Sequence, residues 1–426
     1  MKNDKISSVI IWSVISAAFI GPGTVTTAVT AGSLYHLDLL WTVVFATVAC
    51  VLLQEVSARI TIASGLSLGQ AVIKKFGDKK GFWINMFIGI SVLLGCAAYE
   101  AGNILGAVSG LNLLFEGDGK VYTVLISLVA AYVLWSGNQK WISTLMTILV
   151  AMMGIAFFAL ALNIDFSVLD VVAASVNPKM PMGAELITLG LVGTTIVPYN
   201  LFLGSGMSKG QTIPLMRIGL TVSVFIGGLI TAWILLAGTL VHEFTSFPIL
   251  ASEFRDKVGL FGMWALGIGL FAAGFSSAIT SPYAASIIAS NVLDAKKKNS
   301  VRMVWGIVLL TGFLFGISGV KPIPIILAVQ ALNGLILPLV TAYLIIIVND
   351  EELIPKDHRH AGIYNLVLLL IFAAVLLIGL TSVDKSLSVF SGLQESHFAI
   401  IITFTALLVL AVAWQVFVVG KRKDDH

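Results

Sequence analysis

The sequence predicts an all-α polytopic membrane protein of about twelve spans, and three observations lead there. Of the 426 residues, 58% are hydrophobic and 11% charged, with a mean hydropathy of +1.00. That charge content is less than half the ~25% usual for soluble domains. The apolar residues fall into blocks of about 18 to 25, long enough to cross a ~30 Å hydrocarbon core. Two of those blocks, the first and the sixth, carry a proline near their middle, Pro22 and Pro198, with glycines nearby.

The spans lie near 8–33, 40–66, 83–115, 121–136, 141–163, 184–207, 215–242, 258–292, 301–319, 322–348, 362–382 and 396–419. Basic residues mark every second connector: Lys74, Lys75, Lys79 and Lys80 after span two, and Lys140 after span four. Lys209 and Arg217 follow span six, Lys296 to Lys298 and Arg302 span eight, Lys356 and Arg359 span ten, and Lys421 to Lys423 the last. By the positive-inside rule these connectors and both termini are cytoplasmic. The expected setting is therefore the lipid bilayer of a bacterial inner (plasma) membrane. "MKNDK" runs directly into the first span without a small-residue cleavage site, so no cleavable signal peptide is expected. No connector is long enough for a soluble domain, so residues 1–426 are expected to form one transmembrane unit.

Pro22 sits in "FIGPGTVTT" and Pro198 in "GLVGTTIVPYNLFLGSG". A mid-span proline removes one backbone hydrogen bond and obstructs another. Freed carbonyls inside a membrane must find partners or line a cavity. Breaks at corresponding places in two five-span halves point to an inverted-repeat transporter. The halves are 8–163 and 184–348, with 362–419 as two peripheral helices. Unwound carbonyls suit a cation, and half-helix N-termini suit an anion; the backbone by itself leaves that choice open.

Several stretches resemble the natural resistance-associated macrophage protein (Nramp) metal-ion transporters. "GPGTVTTAVTAGSLYHLDLLW" is similar to the family's first-span signature Asp-Pro-Gly-Asn with its downstream Gly-Ser and Leu-Leu-Trp. "LLQEVSARITIASG" and "AGNILGAVSGLNLLF" are similar to its second and third spans. "GTTIVPYNLFLGSG", "FAAGFSSAITSPYA" and "VQALNGLILPL" resemble its sixth, eighth and tenth. The resemblance implies a LeuT-type 5+5 inverted repeat and proton-linked transport of divalent metals such as manganese and iron. It places the substrate site at Gly21, Pro22, Gly23 and Thr24, at Val197, Tyr199 and Asn200, and at Gln330. The family's aspartate is Gly21 here, its asparagine Thr24, its methionine Val197 and its histidine Tyr199. Asn103 occupies the second third-span acid position, while Glu100 keeps an acid one turn earlier; a second tenth-span glutamine is Ile336.

The remaining polar residues each carry two readings. Glu100, deep in span three, is a proton carrier or the one carboxylate a cation meets; alternatively it is a structural acid bonded to Asn103 or another helix. Glu55 and Arg59 share one helix face four residues apart, as a structural ion pair or as part of an inner gate or proton path. Thr24, Tyr199, Thr26 and Thr27 are candidates to line a cavity, and a threonine in a membrane helix alternatively bonds its own backbone. Ser276, Ser277, Thr280 and Ser281 form a sodium site or a small-residue packing stripe. The metal-facing candidates are Thr24, Glu100 and Gln330.

None of the six histidines lies mid-span, and Cys50 and Cys96 lack metal spacing. There is no nucleotide motif, no hydrolytic constellation and no nucleic-acid patch, so the chain is expected to be no enzyme and to need no cofactor. The expectation is a secondary-active, alternating-access carrier of a divalent cation. Losing the thioether removes a filter for soft metals, which makes magnesium a candidate cargo. The rival expectation is a carrier of an anion or small organic solute, such as a carboxylate or amino acid, through a neutral site.

Overall fold

In a computed structural model the chain is helical nearly throughout. The structure describes residues 2–242, 244–292, 298–391 and 397–419; within these, the side chains of 2, 3, 298, 327, 328, 330–335, 382, 383, 385–391, 418 and 419 lie outside the description. The first half contains α1 (Lys2–Phe19), α2 (Pro22–Tyr35), α3 (Leu40–Ser64), α4 (Leu68–Phe76), α5 (Asp78–Leu114), α6 (Gly119–Ser136) and α7 (Gln139–Ala161). A short α8 (Val168–Val176) leads to the second half: α9 (Glu185–Thr195), α10 (Pro198–Met207), α11 (Ile213–Gly238), α12 (Phe247–Val258), α13 (Leu260–Val292), α14 (Lys298–Ile317) and α15 (Pro322–Val348). The last two are α16 (Gly362–Ser391) and α17 (Phe398–Trp414).

Among the described residues, ten segments are long and apolar enough to cross a membrane, counting α9 and α10 as one, and the bent pair α1 and α2 makes an eleventh. The 27-residue α15 stands where the tenth span was expected. Large apolar side chains such as Leu128, Tyr132, Leu314 and Leu407 point outward, which in a bilayer is the lipid-facing surface.

The order of elements repeats. Each half has a broken helix, a long helix, a short helix, the longest helix and two further spans. The longest helices, α5 with 37 residues and α13 with 33, pack along each other. Each half crosses five times, an odd number, so the second half runs inverted. The broken span of each half also lies against the second span of the other: α1 and α2 on α11, α9 and α10 on α3. Ala107 of α5 meets α13 so closely that a Cβ on Gly274 would lie 2.3 Å from its backbone nitrogen, the small-residue contact that membrane helices favour.

The sequence reading needs three corrections. The connectors, for which no helices were named, hold α4, α8 and α12. The first two begin with a capping box, Ser67 with Gln70 and Ser167 with Asp170, and Ser246 caps the third. The third span starts at Asp78 instead of 83, and the eleventh runs to Ser391 instead of 382.

Candidate functional site

The first break separates α1 from α2 by a 64° bend. Pro22 takes the first helical position of α2, where its missing N–H costs nothing, and Gly21 is the N-cap with extended backbone. The Pro22 ring is seated on α5, where a Cβ on Gly106 would come within 2.1 Å of it. The second break is shallower. Ile196 and Val197 leave the helix, and Pro198 opens α10, but α9 and α10 continue as one 23-residue crossing.

A helix that stops at Phe19 leaves its last carbonyls without intrahelical donors. Every one of them has a partner here. The Ser16 carbonyl accepts from the Ile20 N–H at 3.0 Å. The Ala17 carbonyl accepts from the hydroxyls of Ser276 and Ser277, each at 3.3 Å. The Ala18 carbonyl accepts from the Tyr199 hydroxyl at 2.9 Å. The Phe19 carbonyl accepts from the Thr24 hydroxyl. One turn back, the Asn200 amide donates to the Ile15 carbonyl at 3.4 Å. Hydroxyls from α2, α10 and α13 thus converge on the broken end of α1.

This cluster is packed shut. Thr24, Val197, Tyr199, Asn200, Ser276, Ser277 and Thr280 are all at most 2% exposed. Tyr199 stacks edge-on against Tyr99 at 5.6 Å. Gly21 faces α13 and α5: a Cβ there would sit 3.0 Å from Ser277 Oγ and 3.6 Å from Asn103 Oδ1. Asn103 donates to Glu100 Oε2 at 3.3 Å. The other Glu100 oxygen is buried without a partner, as are Asn200 Oδ1 and the Thr26 hydroxyl. A buried unsatisfied oxygen is costly. Glu100 also touches α14, where a Cβ on Gly312 would lie 2.7 Å from its Cγ.

The structure brings Gly21, Thr24, Tyr199 and Asn200 into one cluster with Ser276 and Ser277. Thr280 turns back to its own helix at Ser277 O, 3.4 Å away, and Ser281 donates to the Cys96 carbonyl of α5 at 2.8 Å. The Gln330 side chain lies outside the described residues. Among the described residues, no three of His, Cys, Asp and Glu form a group able to hold a metal. The sequence reading missed Tyr99 and Gln54. Gln54 is 1% exposed, both its amide atoms lack partners, and it presses on α10 where a Cβ on Gly204 would lie 2.2 Å away. "LLQE" placed an amide beside Glu55, but the helix it faces is distant in sequence.

Glu55 and Arg59 form a second cluster, toward the end of α3. Arg59 pairs with both Glu55 oxygens and donates to the His358 carbonyl. Arg217 of α11 reaches Glu55 at 2.9 Å, and the Tyr364 hydroxyl of α16 donates to it at 3.0 Å. Close by, Lys75 of α4 pairs with Asp350, and Arg359 with Glu351 at 2.7 Å. The connector between α15 and α16 is thereby strapped across α3 and α4. Within it, His360 shares a 2.6 Å hydrogen bond with Asn365 and stacks on Tyr364 at 4.9 Å. Burial holds its imidazole below its ordinary pKa; the Asn365 hydrogen bond and Glu55 oppose this, and Arg59 and Arg217 add to it.

Two inverted five-span halves whose broken helices meet at a buried polar cluster define an integral-membrane transporter. The comparisons narrow this class. Residues 13–385 match the family model described as "Natural resistance-associated macrophage protein-like". The chain is 26% identical over 352 residues to a divalent metal cation transporter MntH of Verminephrobacter eiseniae, covering 78% of this chain and 79% of that one. It is 26% identical over 361 residues to the MntH of Caldanaerobacter subterraneus, covering 80% and 84%. Among solved structures, a manganese transporter of Eremococcus coleocola superposes with a TM-score of 0.77 at 17% identity over 98% of this chain and 95% of that one. A nucleobase-cation-symport-1 family transporter with bromovinylhydantoin bound shares the fold at a TM-score of 0.54 and 14% identity, covering 98% and 96%. The chain belongs to the Nramp family, whose members are transporters and not enzymes.

Proposed function

We propose that this protein is a secondary-active, alternating-access carrier that moves a hard divalent cation of the magnesium class, partly hydrated, in place of the manganese or iron expected by family. The observation that carries this reading is the donor set at the first break. The carbonyls of Ala17, Ala18 and Phe19 and the hydroxyls and amides around them are neutral oxygen donors, and no thioether or carboxylate stands at Gly21, Thr24 or Val197. Oxygen-only sites suit hard cations, and magnesium keeps much of its water. Loading requires Thr24, Tyr199 and the two serines to swing off the carbonyls, so the cargo replaces hydrogen bonds the chain makes to itself. Glu100 supplies the nearest negative charge through Asn103 and is the proposed proton carrier; its orphan oxygen is where a proton would add. A sodium ion at Ser276, Ser277 and Thr280 would compete with the two serine hydroxyls for the Ala17 carbonyl. In this reading the termini and the strap over Glu55 face the cytoplasm, and the strap is the inner gate.

One observation favours a second reading. No charge neutralises a divalent ion at the break itself, and the Tyr99–Tyr199 pair beside Asn200 offers surfaces suited to a small organic solute or carboxylate. Uptake into proteoliposomes separates the two. Magnesium, manganese and a panel of carboxylates and amino acids are offered with and without proton and sodium gradients. Saturable magnesium flux well above manganese flux is expected, and Glu100→Gln should remove its dependence on a proton gradient. Saturable flux of an organic solute with no divalent flux would overturn the first reading.

A further inference from the structure

Away from the breaks, a cavity of about 1090 Å³ opens between α1, the start of α7 and the end of α10. This is at the upper end of the ~300–1,000 Å³ of ligand clefts. Ile6, Ile10, Ile11 and Met207 give its lining an apolar part. The lining also brings together Lys140, in the first turn of α7, and Lys209, in the connector between α10 and α11. Neither lysine has an ion-pair partner, and no aspartate or glutamate lines the cavity, among the described residues. Gln211 is already committed, accepting from the Trp12 indole at 3.0 Å and donating to the Met207 carbonyl. The lysine ammonium groups have no such engagement.

Two further features point to an anion. The lining runs through Gly137, Asn138 and Gln139 into the N-terminus of the 23-residue α7, the positive end of its dipole. Ser143, one turn inside, also lines the cavity; it is fully buried, and its hydroxyl has no partner. With isoleucines and two lysines in one lining, the cavity matches an amphiphile with an anionic head. Basic pockets between membrane helices bind phosphate headgroups on the same grounds.

We propose that this cavity binds the phosphate headgroup of an anionic phospholipid, with the first part of an acyl chain along the isoleucines of its lining. The lysines and the α7 N-terminus hold the phosphate. The bound lipid braces α1, the first half of the broken span, against α7 and α10. Its occupancy therefore resists any displacement of α1 needed to uncover the break.

Native mass spectrometry of the full chain, titrated with phosphatidylglycerol, phosphatidylcholine and inorganic phosphate, tests this. Wild-type protein should retain phosphatidylglycerol adducts in preference to phosphatidylcholine. Lys140→Glu with Lys209→Glu should lower them about tenfold or more, since each lysine near a membrane anion is worth about 1 kcal/mol. Lys79→Glu with Lys80→Glu, a basic pair outside the cavity, should leave them unchanged. Equal retention by the Lys140/Lys209 variant, or equal phosphatidylcholine retention by wild type, would overturn the proposal. Displacement of the lipid by millimolar inorganic phosphate would overturn it too, assigning the cavity to a free anion. Should the reversed pair not fold, the neutral pair Lys140→Gln and Lys209→Gln, with the wild-type competition, decides the same question.

Discussion

The polar cluster at the broken end of α1 and the one around Glu55 are built from opposite materials. At the broken end of α1, neutral hydroxyls cap neutral carbonyls. Around Glu55, one carboxylate holds two guanidinium groups and a tyrosine from three helices. A neutral hydrogen bond in a protein is worth about 1 kcal/mol net, so the first cluster can be unmade and remade at small cost. Breaking a buried ion pair leaves an uncompensated charge and costs about 3–5 kcal/mol. The hydrogen bonds at the centre thus exchange at lower cost than the ion pairs around Glu55, a contrast that fits the proposed cargo site and gate.

The most severe way to break this comparison is Glu55→Ala. It leaves Arg59, 3% exposed, and Arg217 without their carboxylate. A loss of about 3–5 kcal/mol is expected, seen as a large fall in thermal stability or in yield of folded protein. Glu55→Gln keeps the shape and tests the gate instead. A cysteine placed at Ile354 should become faster to label if the strap has loosened. Unchanged stability and labelling in both variants would remove the charged cluster from any role in closure.

Next in size is Tyr199→Phe, which leaves the Ala18 carbonyl buried and uncapped. Stability should fall by about 1–3 kcal/mol. If that carbonyl is a cargo ligand, cation affinity should rise at the same time, because the competing hydroxyl is gone. Calorimetric binding and thermal unfolding on the same sample read both. A fall in stability with no gain in affinity would make Tyr199 a purely structural tie between the halves.

A third test rebuilds the family's pattern through Gly21→Asp, Thr24→Asn and Val197→Met together. A side chain added at Gly21 has room if Ser277 rotates, since Ser277 Oγ is the atom nearest its Cβ, at 3.0 Å. Manganese binding absent from the wild type should appear by calorimetry. Its absence would mean that the pocket differs from the family's by more than these three side chains.

The breaks show how far sequence reached. Proline was not sufficient as a signal: Pro282 and Pro338 sit inside continuous helices, α13 and α15. Pro22 and Pro198 were distinguishable because corresponding spans of the two halves carried them. Thr24, close to the Phe19 carbonyl in sequence, was a visible candidate for its cap. The hydroxyls that cap the Ala17 and Ala18 carbonyls were not legible as such, because Tyr199, Ser276 and Ser277 come from the other half of the chain. The i,i+4 pairing of Glu55 with Arg59 was local and visible; Arg217 and Tyr364, brought in by the fold, were not. The helices α4, α8 and α12 were missed because their connectors were judged by hydropathy, while their caps lie in polar residues such as Ser67 and Ser246.

The smallest expected effect is a pH dependence of the strap, carried by His360. In the folded protein its imidazole is neutral over a wider range than usual, since burial and the two arginines depress its pKa. Asn365 Oδ1 already accepts from the Asn349 amide at 2.9 Å, and it accepts the His360 Nε2 proton as well, so Nδ1 is the nitrogen left to protonate. That atom is buried and without a partner. A strap-open or unfolded state, with the imidazole in water, takes up a proton near its ordinary value of about 6.5 before the closed state does. The contribution to closure is therefore fully present above that value and is lost as pH falls below it. Thermal stability, and protection of a cysteine placed at Ile354 from labelling, should decline between about pH 7 and pH 5.5. His360→Gln, which keeps a donor toward Asn365 but cannot titrate, should flatten that slope while leaving the neutral-pH values nearly unchanged. The same slope in the variant would move the titration to another group, and with it the pH sensitivity away from the strap.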